Sequence, residues 1–355
     1  MRSAAKRNEW PPVFVVAQVD DFAWIGPNDW CEAAIDKFGE TFDIERLGRV
    51  SRWQGIEVHW LDEGLFLTQT RQIQLTIKRA GVLPGRNVQM PAYGERMSRS
   101  WCPQTDQDKL FMRDKPYRAI VGSVGYIVQG TRLDCAFSHK EAARYNANPG
   151  PRHWTRLMEM VQYLRKTPHH GILLPRAGGF QLSSSCDADY NGDPDERMSS
   201  SGIVVDFGGA PIAAISRTQK WTSKSVGQSE HGALAQCAAE LLFYRHVLQS
   251  LELNQGVTGV HVNENTSVDM RSDSNVAMAA AGRAANWMTD KFKHVESHMK
   301  FFHQYVAAGV LKLVKVPSAA NSSDVLTKQF ASVEKFRAAA SHYVRELPEQ
   351  LRKTM

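Results

Sequence analysis

The chain has 355 residues, of which 43% are hydrophobic and 23% charged, which suits about two domains with packed cores. Its five cysteines lie far apart without a CxxC pair, which argues against a disulfide framework and a cysteine zinc site and favours a reducing compartment. No apolar run is long enough for a membrane helix, no apolar core follows the basic N-terminus as in a secretory signal, and the net charge of +6 is compatible with a polyanionic partner.

The first half of the chain begins with a predicted hairpin. Val13–Val19 and Phe22–Ile25 are short apolar runs that predict two strands, with Asp20 and Asp21 at the tip between them. Further strands are expected on either side of the turn Asp62-Glu63-Gly64, and helices over residues 29–42, 69–80, 117–129, 134–145 and 151–166. The glycines and prolines of residues 82–116 predict a loop-rich segment, and those of residues 169–179 predict a linker.

The second half predicts strands followed by alternating helices and strands. Its elements in chain order are strands at 180–187, 202–207 and 211–217, a long helix at 229–250, a strand at 268–273, helices at 274–285 and 290–308, a strand at 311–316, and helices at 323–328 and 332–345. This order predicts a mixed sheet with helices packed on it.

Four carboxylates stand at strand ends or helix starts of this second half. Asp187 ends a strand in the acidic stretch SSSCDADYNGDPDE, Glu230 lies on the apolar stripe of a helix, and Asp273 and Asp324 precede helices. Each has an ordinary explanation as a turn residue, a helix N-cap or a first-turn acid. Together they also predict a site for hard divalent cations, which prefer oxygen ligands from several elements.

Several motifs resemble one known family. SSCDADYNGD, QSEHGALAQ, RSDSNVAMA and VPSAANSSDVLTKQF occur in the order and spacing of the RNase H domain of copia-type retrotransposon Pol polyproteins. Upstream, VDDFAWIG, RLGRVSRWQGIEV, GLFLTQTRQIQ, YRAIVGSVGYIVQGTRLDCAF and HWTRLMEMVQYLRKT are similar to the second half of the reverse transcriptase of that family. The resemblance extends roughly from Val13 to Phe330.

The resemblance implies a catalytic, metal-binding set made of Asp187, Glu230, Asp273 and Asp324. It implies two Mg²⁺ ions, with Mn²⁺ as an alternative, and hydrolysis of the RNA strand of an RNA/DNA hybrid to leave a 3′-hydroxyl. Such an enzyme reads the shape, 2′-hydroxyls and phosphates of the hybrid rather than its sequence. The candidate phosphate contacts, each of which is also explained as an ordinary solvated lysine, are Lys220, Lys224, Lys291 and Lys293.

Asp20 and Asp21 match the paired polymerase aspartates of the family, for which a plain turn is the alternative. Polymerisation needs a further aspartate on an earlier palm strand, so this chain is not expected to polymerise alone. The missing N-terminal half of the polyprotein is a candidate partner that would restore a polymerase in trans. Departures from the family pattern at Gln18, Tyr190 and Ser274 leave a second alternative open, a catalytically inactive remnant that binds nucleic acid.

The resemblance implies an α/β (α+β) fold, with a partial reverse-transcriptase palm and connecting helices before an RNase H-like mixed sheet with flanking helices. We expect a disordered N-terminus over 1–12, the partial reverse transcriptase over 13–175, the RNase H-like domain over 176–330, and a C-terminal helix and tail over 331–355. No membrane association is expected, and an intracellular location, cytoplasmic or nuclear, fits the family.

Overall fold

The computed structural model describes residues 13–81, 87–92, 94–177, 179, 181–250, 266–282 and 301–352, so the expected disordered segment 1–12 lies outside the described residues. The strands are β1 Phe14–Gln18, β2 Asp21–Ile25, β3 Arg52–Trp53, β4 Ile56–Leu61, β5 Gly64–Thr68, β6 His170–Pro175, β7 Leu182–Asp189, β8 Ser200–Phe207, β9 Ala210–Thr218, β10 Val268–Ser272, β11 Leu311–Lys315 and β12 Arg345–Glu346. The helices are α1 Asn28–Gly39, α2 Thr70–Ala80, α3 Asp106–Arg113, α4 Tyr117–Gly130, α5 Ala136–Ala143, α6 Pro151–Lys166, α7 Val226–Ser250, α8 Asn275–Gly282, α9 His303–Ala307, α10 Val333–Ala340 and α11 Glu349–Arg352.

The hairpin expected at the start of the chain is present. β1 and β2 pair antiparallel with Gln18 opposite Asp21, so Val19 and Asp20 form a two-residue turn. Among the described strands, β1 and β2 pair only with each other. Helix α1 has no buried residue and reaches the hairpin through Phe38, whose ring lies 5.1 Å from that of Phe22.

A five-stranded antiparallel sheet has the order β12-β6-β5-β4-β3. The linker expected over residues 169–179 is wrong, because six of these residues form β6, which pairs with β5. Gly64 belongs to this sheet with a φ of +154°, and a side chain there would strike the carbonyl oxygen of Leu174 on the neighbouring strand. The C-terminal segment returns to the same sheet, where β12 pairs with β6.

The second five-stranded sheet has the order β11-β10-β7-β8-β9 and carries the candidate site. β10 runs parallel to both β11 and β7, whereas β7, β8 and β9 pair antiparallel. The expected mixed sheet with packed helices is therefore confirmed. Helix α7 begins at Val226, three residues before the expected start at residue 229, so Ser229 is a buried residue inside the helix.

The largest hydrophobic core joins both halves of the chain. It contains Ile73 of α2 and Leu157 of α6. From the second half it contains Val204 of β8, Phe336 of α10 and Leu326, which precedes α10. The sheet that carries the candidate site therefore packs directly against the helices of the first half. Because the interior is close-packed, a change of side-chain volume in one half is expected to disturb the packing of the other half.

A buried ion pair stabilises the helical region beside this core. The guanidinium of Arg132 donates hydrogen bonds of 3.0 and 2.9 Å to Asp134, and both side chains are fully buried. Burial alone would raise the pKa of Asp134, but Arg132 and the hydroxyl of Tyr163 hold it below its usual value. The described part of the chain contains no helix that is long and apolar enough to cross a membrane.

Candidate active site at one edge of the mixed sheet

Asp187 lies near the end of β7, the central strand of the mixed sheet, and is 5% exposed. Its partner on β8 is Gly202, and the absence of a side chain there lets residues 323–327 pack closely on the strand. The hydroxyl of Thr327 donates a hydrogen bond of 2.5 Å to Asp187 Oδ2. Because a charged hydrogen bond of this kind fixes direction as well as distance, the carboxylate is held in one orientation.

Asp273 directly follows β10, the parallel neighbour of β7, so the two strands end at the same edge of the sheet. The side-chain amide of Asn321 donates hydrogen bonds of 3.2 Å to the carbonyl oxygen of Cys186 and 3.1 Å to Asp273 Oδ1. The ammonium of Lys315 donates to the backbone carbonyl of Asp273. One amide therefore ties together the strand ends that carry Asp187 and Asp273.

Glu230 reaches this edge from α7, which packs on β7 and β8, and the residue is 9% exposed. Burial and the negative charges of Asp187 and Asp273 raise the pKa of Glu230 to about 8, although the positive charge of Lys328 and a hydrogen bond from the backbone of Ala188 oppose this rise. The helical position expected for Glu230 thus places its carboxyl beside the other acids. The carboxyl is largely protonated at neutral pH.

Asp324 lies in a short 3₁₀ turn, Ser322–Leu326, that packs against β7 and β8. The ammonium of Lys328 lies 2.9 Å from Asp324 Oδ1 and 3.9 Å from Asp187 Oδ2. Burial and the charge of Asp187 raise the pKa of Asp324 to about 6, although Lys328 opposes this rise. The 3₁₀ turn and the residues that follow it therefore bring one carboxylate and one ammonium to the same edge.

We call Asp187, Glu230, Asp273 and Asp324 the carboxylate cluster. The donor chemistry fits hard divalent cations, because all four side chains offer oxygen atoms and mutual repulsion disfavours their joint ionisation. Within the described residues, no group of three or more acidic, histidine or cysteine side chains is gathered closely enough to enclose an ion. The Lys328 ammonium instead stands beside two of the four acids.

The other acids of the stretch that begins at Asp187 have structural partners, and we call residues 189–196 the acidic loop. Asp189 pairs with Arg96, which also lies 3.1 Å from Glu141. Asp193, 2% exposed, accepts two hydrogen bonds of 2.7 Å from Arg144. The remaining two acids are bound by the segment before α3, where Asp195 accepts from Ser98 and the backbone of Arg99, and Glu196 pairs with the side chain of Arg99. The acidic loop is thus a bridge to the first half of the chain.

The remaining predicted site residues lie outside the carboxylate cluster. Lys220 and Lys224 are exposed on the segment that precedes α7, as phosphate contacts would need to be, and Lys291 and Lys293 lie outside the described residues. Asp20, in the turn of the hairpin, and Asp21, the first residue of β2, are both exposed. The described contacts bring neither of these two aspartates to the carboxylate cluster.

Three residues at the edge of the sheet were not expected from the sequence. Asn321 joins two strand ends, Thr327 orients Asp187, and Lys328 supplies a positive charge. All three lie in the motif NSSDVLTK, in which only Asp324 was singled out. Their closeness to Asp324 in sequence was the available signal, because residues of one tight turn reach the same place.

No family model matches the chain. Two curated proteins are similar over most of it: the retrovirus-related Pol polyprotein from transposon TNT 1-94 of Nicotiana tabacum, 27% identical over 322 residues, and that from transposon RE2 of Arabidopsis thaliana, 26% identical over 323 residues. These alignments cover 89% and 90% of this chain. The chain therefore resembles the retrovirus-related Pol polyproteins of plant transposons. The resemblance stated from its motifs is therefore confirmed at this level.

The chain spans about one fifth of the length of these Pol polyproteins, 23% of one and 21% of the other. Among solved structures, an RNase H1 isolated from compost by a metagenomic approach is similar at 18% identity and a TM-score of 0.27, covering 42% of this chain and 94% of that one. The TM-score is too low for that structure to position any residue here.

Proposed function

We propose that this chain is a metal-dependent ribonuclease H, an endonuclease that hydrolyses the RNA strand of RNA/DNA hybrids. One observation carries the proposal: β7, α7, β10 and the 3₁₀ turn each bring one carboxylate of the cluster to the same edge of a mixed sheet. The resemblance of its motifs to the RNase H domain of copia-type Pol polyproteins and its similarity to two Pol polyproteins of transposons support it. The reaction breaks the bond between phosphorus and the 3′-oxygen and leaves a 3′-hydroxyl.

Asp187 and Asp273 are proposed as the central ligands, because the strand ends fix their positions and Thr327 and Asn321 fix their oxygen atoms. Glu230 and Asp324 complete the ligand set from the helix and the 3₁₀ turn. Two Mg²⁺ ions, when bound there, would activate a water molecule and stabilise the leaving oxygen of the phosphodiester. The carboxyl proton of Glu230 must leave before Glu230 can act as a ligand, since its pKa is about 8.

Substrate binding is proposed to rest on phosphate and sugar contacts. Lys220 and Lys224 are exposed just before α7, the helix that carries Glu230, and could neutralise backbone phosphates there. Contacts to phosphates and 2′-hydroxyls distinguish RNA from DNA without reading the base sequence. A cytoplasmic or nuclear location belongs to the same proposal.

The test is cleavage of a hybrid by the whole chain. The RNA and DNA strands are labelled at their ends separately, and wild type is compared with Asp187→Asn and with Asp62→Asn, an exposed aspartate in the turn before β5. We expect Mg²⁺-dependent cleavage of the RNA strand alone by wild type and Asp62→Asn. Asp187→Asn should be slower by at least about a hundred-fold, because it loses a central ligand.

Equal cleavage by Asp187→Asn would contradict the proposed site and indicate a contaminating nuclease. Absence of cleavage by a cooperatively folded wild type would contradict the proposed activity. It would favour the inactive remnant, whose binding to the labelled hybrid can be measured in the same samples.

A further inference from the structure

Lys328 places a permanent positive charge inside the carboxylate cluster. Its ammonium forms an ion pair of 2.9 Å with Asp324 and lies 3.9 Å from Asp187. A divalent cation would be drawn to the same oxygen atoms by the same charges. An ammonium and a metal ion at this position therefore repel each other and exclude one another.

The backbone that carries Lys328 is fixed, whereas its side chain has room to move. The carbonyl oxygen of Leu326 accepts a hydrogen bond of 2.6 Å from Ser216, and that of Ser322 accepts one of 2.7 Å from Tyr343. These bonds anchor the 3₁₀ turn to β9 and to the segment after α10. The side chain of Lys328 is 48% exposed, so its ammonium can turn outward without any change in the backbone.

We propose that Lys328 is an internal counter-ion that competes with divalent metal for Asp187 and Asp324. The inference rests on the proposed function, because it concerns the regulation of the same site. In the metal-free protein the ammonium relieves the repulsion between the two carboxylates. When a divalent cation binds, the ammonium swings out of the cluster toward solvent.

This exchange has a measurable cost for metal binding. The cation must displace an ion pair that wild type already makes, so wild type binds Mg²⁺ more weakly than a chain without that ammonium. Removing the ammonium should lower the dissociation constant for Mg²⁺ about ten-fold, an effect between the full Coulomb attraction at such distances and the small net contribution of a solvent-exposed ion pair. Lysine replaced by arginine keeps the competing charge and should keep the weak binding.

The experiment is calorimetric titration of Mg²⁺ into the whole chain without nucleic acid, at fixed pH and ionic strength. Wild type is compared with Lys328→Gln, Lys328→Arg and Lys335→Gln, the last a matched loss of charge at an exposed lysine of α10. Lys328→Gln should bind Mg²⁺ about ten-fold more tightly, whereas Lys328→Arg and Lys335→Gln should resemble wild type. Affinity in Lys328→Gln equal to or weaker than that of wild type would overturn the inference.

A measurement on wild type alone covers the case in which Lys328→Gln does not fold. Acetylation of lysines by an N-hydroxysuccinimide ester is followed by mass spectrometry with and without Mg²⁺. Lys328 should react faster with Mg²⁺ bound, and Lys335 should not change; an unchanged rate at Lys328 would contradict the exchange. Metal binding is measured without substrate. If Lys328→Gln binds Mg²⁺ more tightly but wild type cleaves no hybrid, the proposed function is contradicted and the competition between Lys328 and metal is not.

Discussion

At Gly202, the addition of one methyl group should move the 3₁₀ turn that carries Asp324 away from the strand end that carries Asp187. Gly202 lies opposite Asp187 on β8, and the 3₁₀ turn passes directly over it. A Cβ atom at this position would lie 2.8 Å from the backbone oxygen of Ser323, 2.8 Å from Cβ of Leu326 and 2.7 Å from Cγ2 of Thr327. All three distances are too short for carbon contacts, and a backbone oxygen cannot rotate away.

Gly202→Ala should therefore push the 3₁₀ turn outward from the sheet. Overpacking of this kind costs about 1–3 kcal/mol of unfolding free energy. The shift would also lengthen the hydrogen bond from Thr327 to Asp187 and move Asp324 away from the strand ends. Misplacement of catalytic groups by about 1 Å reduces rates about a hundred-fold, so cleavage should suffer more than stability does.

Urea unfolding and single-turnover hybrid cleavage of the whole chain test this prediction. The matched control is Gly122→Ala in α4, where a Cβ atom meets nothing within 4 Å. Replacing a helical glycine in open space should stabilise the chain by about 0.5–1 kcal/mol and leave cleavage unchanged. A Gly202→Ala chain with the stability and cleavage rate of wild type would refute the packing argument.

Three further predictions concern charges. Without metal, the free energy of unfolding should fall as pH rises from about 5 to 8, because folded Glu230, with its pKa of about 8, keeps a proton that the unfolded chain releases. Urea unfolding across this pH range should show a smaller fall for Glu230→Gln. Identical pH profiles of the variant and wild type would contradict this prediction. Arg144→Ala should lower the free energy of unfolding by about 3 kcal/mol, because it leaves Asp193 buried without its ionic partner. A urea midpoint equal to that of wild type would contradict this. Arg132→Met should cost about 3–5 kcal/mol, and Asp134→Leu added to it should recover part; no recovery would count against the ion pair.

Much of the fold could be predicted because its elements follow regular apolar periods. The hairpin β1–β2, the strands β7 to β9 and the helices α4 and α6 were expected close to their observed bounds. Strand β6 was missed because its short apolar run lies among glycine and proline, and its partner β5 lies about a hundred residues earlier. Helix α3 was missed because it buries no residue, and so its sequence shows no apolar stripe.

The candidate site shows the same division between local and distant signals. The carboxylates could be proposed because each stands at the end of a strand, in a helix stripe or in a turn, which are local features. The partners of the acidic loop could not, because Arg96 and Asp189 are 93 residues apart and meet only through tertiary packing. Lys328 lies within a recognised motif, but the effect of its charge depends on Asp187, which strand β7 supplies from about 140 residues earlier.

The measurement that tests the account most directly is a crystal structure of the whole chain with Mn²⁺, recorded for the anomalous signal of the ion. We expect Mn²⁺ bound to carboxylate oxygens of Asp187 and its neighbours in the cluster, with the ammonium of Lys328 turned out to solvent. Well-ordered crystals at saturating Mn²⁺, with no ion at this edge and Lys328 still paired with Asp324, would contradict it.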